Sequence, residues 1–192
     1  MAIKTPICDF GQTAQSFELK STNNEIIKLD DAKGENGTLI MFICNHCPYV
    51  KAVIKDIVED CKILEKFGIK SVAICANDAV NYPEDSFENI EIFGVKSLAI
   101  CSNDSINYPE DSFNKIKKFS KNNNFNFPYL IDETQETAKK YGAVCTPDFF
   151  GYNKNLELQY RGRIRELKDL KPVRSDESDL FKAMKQIAAT NS

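Results

Sequence analysis

The sequence predicts a single α/β domain. Residues 38–43 (TLIMFI) form a continuous apolar run after Gly34 and Gly37, as expected of a strand covered on both faces. From Cys47 onward Val50, Val53, Ile54, Ile57, Val58, Cys61, Leu64 and Phe67 recur at helical spacing, and Gly68 stops the element, so a long amphipathic helix follows that strand directly. Further strand and helix patterns then alternate along the chain, which implies helices packed on a sheet. With 192 residues, 42% of them hydrophobic, the chain can bury one good core within one domain spanning 1–192.

Taken in order, residues 17–20 and 25–29 are short strands separated by Ser21-Thr22-Asn23-Asn24, whose residue types favour a turn, so the chain is expected to open with a small hairpin. Residues 38–43 are the expected sheet centre. Residues 69–75 read as a buried strand and 129–132 as the end of another. Residues 148–152 and 156–161 read as a closing hairpin around Asn153-Lys154-Asn155. Helices are expected near 83–93, 109–121, 134–141 and 178–189, the last two opening on Thr134 and Ser178, which can cap the first N–H groups.

An internal repeat interrupts this plan. Residues 67–90 and 93–116 align without a gap at a period of 26, with 17 of 24 positions identical. Most differences are conservative (Ile69/Val95, Val72/Leu98, Val80/Ile106), so each copy keeps an apolar strand, an Asn-Asp loop and a Pro-Glu-Asp helix start. Repeat arrays need about three or more units to bury a continuous core, so two copies are an insertion in an existing fold and not a solenoid. The expectation is an inserted, duplicated β-α unit that adds a parallel strand in series. The alternative is that one copy holds the native slot while the other is extruded or swapped into a partner chain.

The formal net charge of -3 arises from interspersed Lys, Glu and Asp, which leaves no basic footprint for nucleic acid. Residues 1–10 carry no apolar run of signal-peptide length and the longest apolar stretch is only 39–44, so neither export nor membrane insertion is expected and a cytoplasmic location is. Seven cysteines are an odd number, and several sit in apolar runs as small core residues would. In a reducing compartment a clustered pair points to redox or metal chemistry, which singles out Cys44 and Cys47.

Cys44-Asn45-His46-Cys47 joins the buried strand to the helix start. There the unpaired N–H groups and the positive helix end stabilise a thiolate, and Cys47, at the helix mouth, gains most. Cys44, three residues earlier, is close enough in sequence to trap an oxidised Cys47 as a disulfide. The plainer reading is that both cysteines fill a core corner. His46, the only histidine, reads as a loop or cap residue before it reads as a base. The loops 76–83 and 102–109 should lie at the carboxyl ends of their strands, near Cys47, where Asn77, Asp78, Asn103 and Asp104 either shape the substrate wall or simply cap turns.

The run FICNHCPYVK at 42–51, the repeated Asn-Asp-x-x-Asn-Tyr-Pro-Glu-Asp-Ser, YLIDET at 129–134 and YGAVCTPDFF at 141–150 together resemble the peroxiredoxin-like (redoxin) branch of the thioredoxin superfamily, over roughly residues 14–162. The resemblance implies a thioredoxin-like fold, a nucleophilic Cys47, and a cis peptide between Thr146 and Pro147 facing the cysteines. Two departures are visible. The usual second thioredoxin cysteine falls at Val50, so the resolving thiol must be Cys44, Cys145 or an external thiol. The peroxiredoxin pattern has Cys44 where a threonine is expected and Ile40 where a proline is expected. Arg161, Arg163 and Arg165 are candidates to stabilise a peroxide transition state, but read first as a solvated edge.

The function expected is therefore thiol-disulfide exchange or peroxide reduction without a cofactor, with catalytic residues Cys47, Cys44, Thr146 and Pro147 and Cys145 as a further resolving candidate. Its partners would be a small thiol, disulfide or peroxide substrate, a thioredoxin-type or glutathione-type reductant, and a second copy as a homodimer or strand swap. Two other readings stand beside it: copper(I) or zinc binding by Cys44, His46, Cys47 and Cys145, and a redox-inert scaffold.

Overall fold

The computed structural model describes residues 8–21, 24–45, 47–76, 113–132 and 134–192. In chain order these form β1 (Glu18–Lys20), β2 (Ile26–Lys28), α1 (Leu29–Ala32), β3 (Gly37–Phe42), α2 (Pro48–Leu64), β4 (Ile69–Ala76), α3 (Phe113–Asn122), β5 (Tyr129–Asp132), α4 (Glu136–Tyr141), β6 (Asp148–Tyr152), β7 (Leu158–Gly162), β8 (Leu167–Lys168), β9 (Lys171–Pro172) and α5 (Asp179–Thr190). The main sheet runs β5-β4-β3-β6-β7. β3 sits at its centre with every residue buried, parallel to β4 and antiparallel to β6, which is where a run with no polar alternation has to go.

Helices cover both faces. Gly151 of β6 lies under α5: a Cβ there would meet Met184 Sδ at 2.5 Å and Ile187 Cδ1 at 3.5 Å, so its missing side chain lets helix and strand close up. α2 packs on α5 and on β4. On the other face, Tyr141 at the end of α4 stacks on Phe42 and Phe150, with ring centroids 5.5 and 5.7 Å apart. The outer edge of β7 is closed by the N-terminal segment, through Gly11 N to Leu158 O and Leu158 N to Gln12 O, each 2.9 Å. Among the described residues no helix is long and apolar enough to cross a membrane.

The opening hairpin β1–β2 and the strands β5 and β6 lie where the pattern put them. Two boundaries move for local reasons, and one hairpin is added. α4 starts at Glu136 and not at residue 134, because Gln135 is left-handed (φ 60) and the Asp132 carboxylate takes the Ala138 N–H at 2.7 Å. β7 starts at Leu158 and not at residue 156, because Leu156 is left-handed (φ 61) and Asn153 Oδ1 accepts from the N–H groups of both Asn155 and Glu157 at 3.0 Å. The β8–β9 hairpin, unread in the sequence, turns through Asp169 and Leu170 at positive φ (50 and 61), and a leucine there gives no turn signal.

β4 belongs to the first copy of the repeat, and α3 opens on the last residues of the second. β4 pairs with β3 from Gly37↔Ile69 to Phe42↔Ile74 and with β5 from Ala73↔Tyr129 to Ala76↔Asp132, so no other strand separates it from either neighbour. The expected helix at 83–93, the start of that at 109–121 and the expected extra parallel strand of the second copy lie outside the described residues, as do loops 77–83 and 102–109.

Candidate active site

β3 ends at Phe42, two residues before Cys44, and its parallel partner β4 ends on the same side of the sheet. Cys44 is fully buried, whereas Cys47 is half-buried at the N-cap of α2 with Pro48 as the first helical residue. Proline suits that place because its missing N–H is one the helix start would leave unpaired anyway. The loop between the cysteines is held from below: Asn45 is buried, and its Oδ1 accepts from the hydroxyl of Tyr129 on β5 at 3.2 Å.

The second wall of the site comes from the segment between α4 and β6. The Thr146-Pro147 peptide is cis, as the resemblance implied. Thr146 Oγ1 and Cys44 Sγ are 2.9 Å apart, and the Cys47 thiol donates to Thr146 O at 3.2 Å. The Cys44 side chain, hydrogen-bonded to Cys47, lowers the Cys47 pKa to about 6. Burial opposes this, and the N–H groups of Val50 and Tyr49 and the Thr146 side chain add to it. The helix mouth thus contributes, but the nearest thiol contributes more.

Cys145 stands beside the cis peptide, half-buried, with Sγ 4.0 Å from Pro147 O. Burial raises its pKa, and the Asp148 and Cys47 charges push the same way, so it is the poorer thiolate of the two. The structure therefore brings Cys44, Cys47, Thr146, Pro147 and Cys145 to one place. His46 lies outside the described residues, and with it the fourth member of the metal-binding alternative. Among the described residues no group of three or more His, Cys, Asp or Glu is placed to hold a metal ion.

The arginines differ from the expected solvated edge. Only Arg163 fits it, with a side chain 58% exposed. Arg161 is 9% exposed, stacks over Phe150 with its guanidinium carbon 4.4 Å from the ring centre, and donates to Asp148 Oδ2 at 2.9 Å and to Gly142 O at 2.6 Å. Arg165 is 14% exposed, with Nε 2.9 Å from Asp56 Oδ2. The Arg161 side chain reaches back to Gly142, just past α4, so its guanidinium is buried and must be paired there. Burial raises the pKa of Asp148, while Arg161 pulls it back. Neither Asn45–Tyr129 nor Asp148–Arg161 was singled out by sequence reasoning. Asn45, Tyr129 and Asp148 do stand in the quoted motifs, Asp148 directly after Pro147, whereas Arg161 lies outside them. A separate cleft of about 840 Å³, between the second half of α2, the start of α5 and residues 172–178, touches none of the site cysteines.

Three solved structures illustrate the similarity. An uncharacterized conserved protein from Geobacillus kaustophilus is 31% identical, covering 91% of this chain and 90% of its own, with a TM-score of 0.70. A hypothetical protein from Sinorhizobium meliloti is 26% identical over 91% of this chain and 79% of its own, with a TM-score of 0.69. A peroxidoxin from Mycobacterium tuberculosis, 15% identical over 95% of this chain and 98% of its own, shares the fold at a TM-score of 0.57. None of the curated proteins matches the chain. The profile of the AhpC/TSA family spans residues 10–167, which takes in the central sheet, both cysteines and the cis-proline wall, and the chain belongs to that family, within the redoxin branch of the thioredoxin superfamily.

Proposed function

We propose that this protein is a dithiol–disulfide oxidoreductase in which Cys47 is the attacking thiol and Cys44 the resolving one. The observation that carries the reading is the pair itself: a half-buried Cys47 whose pKa falls to about 6 because the fully buried Cys44 hydrogen-bonds to it. A thiol of that acidity is mostly ionised at neutral pH, and only Cys47 offers a face to solvent, which sets the order of events. The Cys47 thiolate attacks one sulfur of a substrate disulfide, and the other sulfur leaves with the bonding electron pair and takes up a proton. Cys44 then gives up its proton and attacks the Cys47 sulfur, releasing the second substrate thiol and leaving a Cys44–Cys47 disulfide. Two electrons have passed to the substrate, and a thioredoxin-type or glutathione-type dithiol or thiol supply restores the pair.

Family membership supports a thiol-dependent redox role in general. Disulfides are preferred here to peroxides because Arg161, the buried guanidinium on this side of the sheet, is already held by Asp148 and Gly142 and is not among the groups that lower the Cys47 pKa. We place this chemistry in a reducing, cytoplasmic setting, where a clustered thiol pair serves redox exchange. The test is trapping. With glutathione disulfide, Cys44→Ser should accumulate a mixed disulfide at Cys47, whereas wild type should pass on to an internal disulfide that mass spectrometry sees as the loss of two hydrogens. Failure to modify Cys47 in either protein would sink the reading, and faster oxidation by hydrogen peroxide than by the disulfide would move it to peroxide reduction.

A further inference from the structure

Two segments of the sequence carry the pattern of β4. The β4 slot buries Ile69, Val72, Ala73, Ile74 and Cys75, each at most 1% exposed. The second copy offers Val95, Leu98, Ala99, Ile100 and Cys101 at the same spacing, with Lys96 and Ser97 matching Lys70 and Ser71. The two apolar differences offset each other: one methylene-sized group is lost at Ile69/Val95 and one gained at Val72/Leu98, and volume-conserving exchanges are the best tolerated in a core. The entry turn is duplicated as well. Gly68 is left-handed (φ 74), and its carbonyl and that of Phe67 accept from Asn36 N at 3.0 Å and Asn36 Nδ2 at 2.9 Å. Phe93-Gly94 supplies the same two residues, including the glycine that the positive φ requires.

Connectivity allows the exchange. With the first copy in the slot, 36 residues (77–112) join β4 to α3, whereas with the second copy in the slot 10 residues (103–112) would do so and the 26-residue surplus would lie between α2 and the strand. Loop closure cost grows only slowly with length, so moving the surplus from one end of the strand to the other changes little. We propose that the two copies are interchangeable occupants of the β4 slot, so that the folded protein exists in two isomers related by a 26-residue shift of the chain through the sheet. One isomer carries the surplus at the end of the sheet where β3 leads into Cys44, and the other carries it at the opposite end.

The inference is independent of the thiol chemistry, and its test uses a pair of substitutions. An aspartate in the middle of a fully buried strand is incompatible with that strand's place. Val72→Asp and Leu98→Asp should each leave a folded protein with native near-ultraviolet circular dichroism, because the intact copy takes the slot, and Val72→Asp/Leu98→Asp should be unfolded. Alkylation read by mass spectrometry should follow the strands: Cys75 labelled and Cys101 protected in Val72→Asp, and the reverse in Leu98→Asp. If either single variant unfolds, or the double variant stays folded, or Cys75 remains protected in Val72→Asp, the two copies are not interchangeable and the proposal is overturned.

Discussion

Replacing Cys44 with alanine should remove much of the acidity of Cys47. The Cys44 side chain is the largest contributor to a Cys47 pKa of about 6, ahead of burial, which opposes it, and of the Val50 and Tyr49 N–H groups. A hydrogen bond to a charged group contributes about 1.5–3 kcal/mol, and about 1.36 kcal/mol corresponds to one pH unit. The midpoint should therefore rise from about 6 to about 7–8 in Cys44→Ala. Cys44→Ser keeps a donor on the same carbon and should stay near the wild-type value. The assay is the rate of Cys47 alkylation by iodoacetamide against pH, read on the Cys47 peptide, with circular dichroism confirming the fold. The sign of the linked stability follows. A thiol whose folded-state pKa is depressed contributes stability that is present above the ordinary value of about 8.5 and is lost as pH falls through about 6. Denaturation of wild type should show that rise with pH, and Cys44→Ala should flatten it. An alanine variant with an unmoved midpoint would refute the reasoning and assign the thiolate to the helix mouth alone.

Three further outcomes are expected. Burial, opposed by the Ser178 hydroxyl at 2.6 Å, raises the Asp60 pKa to about 6, so the folded chain holds this proton more tightly than the unfolded one. Stability should then fall by up to about 3 kcal/mol as pH rises from about 4 to about 6, and Asp60→Asn should remove that slope in urea titrations; an unchanged slope assigns it elsewhere. Arg161→Met leaves the fully buried Asp148 without its cation and should cost about 3–5 kcal/mol, much of it recovered by adding Asp148→Asn; a double variant no better than the single would contradict the pairing. Tyr129→Phe deletes the donor to Asn45 Oδ1, at a cost of about 1–3 kcal/mol, and should slow formation of the Cys44–Cys47 disulfide; an unchanged rate would show that the loop holds its shape without it.

What the sequence determined by itself was local. The all-apolar run of β3, the helical spacing after Cys47 and Ser178 at the start of α5, where its Oγ accepts from Phe181 N at 2.9 Å, each declare a conformation within a few residues, because side-chain period and capping chemistry act at that range. The Cys44–Cys47 pair was legible as a motif, whereas the cis Thr146-Pro147 was expected only through the family resemblance. What only the tertiary structure decided was which distant groups meet. The approach of Thr146 Oγ1 to Cys44 joins residues 102 positions apart, and the clasp of Tyr129 on Asn45 joins residues 84 apart. Arg161 reads as a surface cation until β7 is paired with β6 and its side chain is turned toward Asp148 and Phe150. The repeat is the sharpest case: two nearly identical segments of sequence carry the same apolar pattern, and only the pairing of Ile69–Ala76 with both β3 and β5 shows that the first copy fills the slot here. Local pattern fixes what a segment can become, whereas the partner it finds depends on the closing of the whole core.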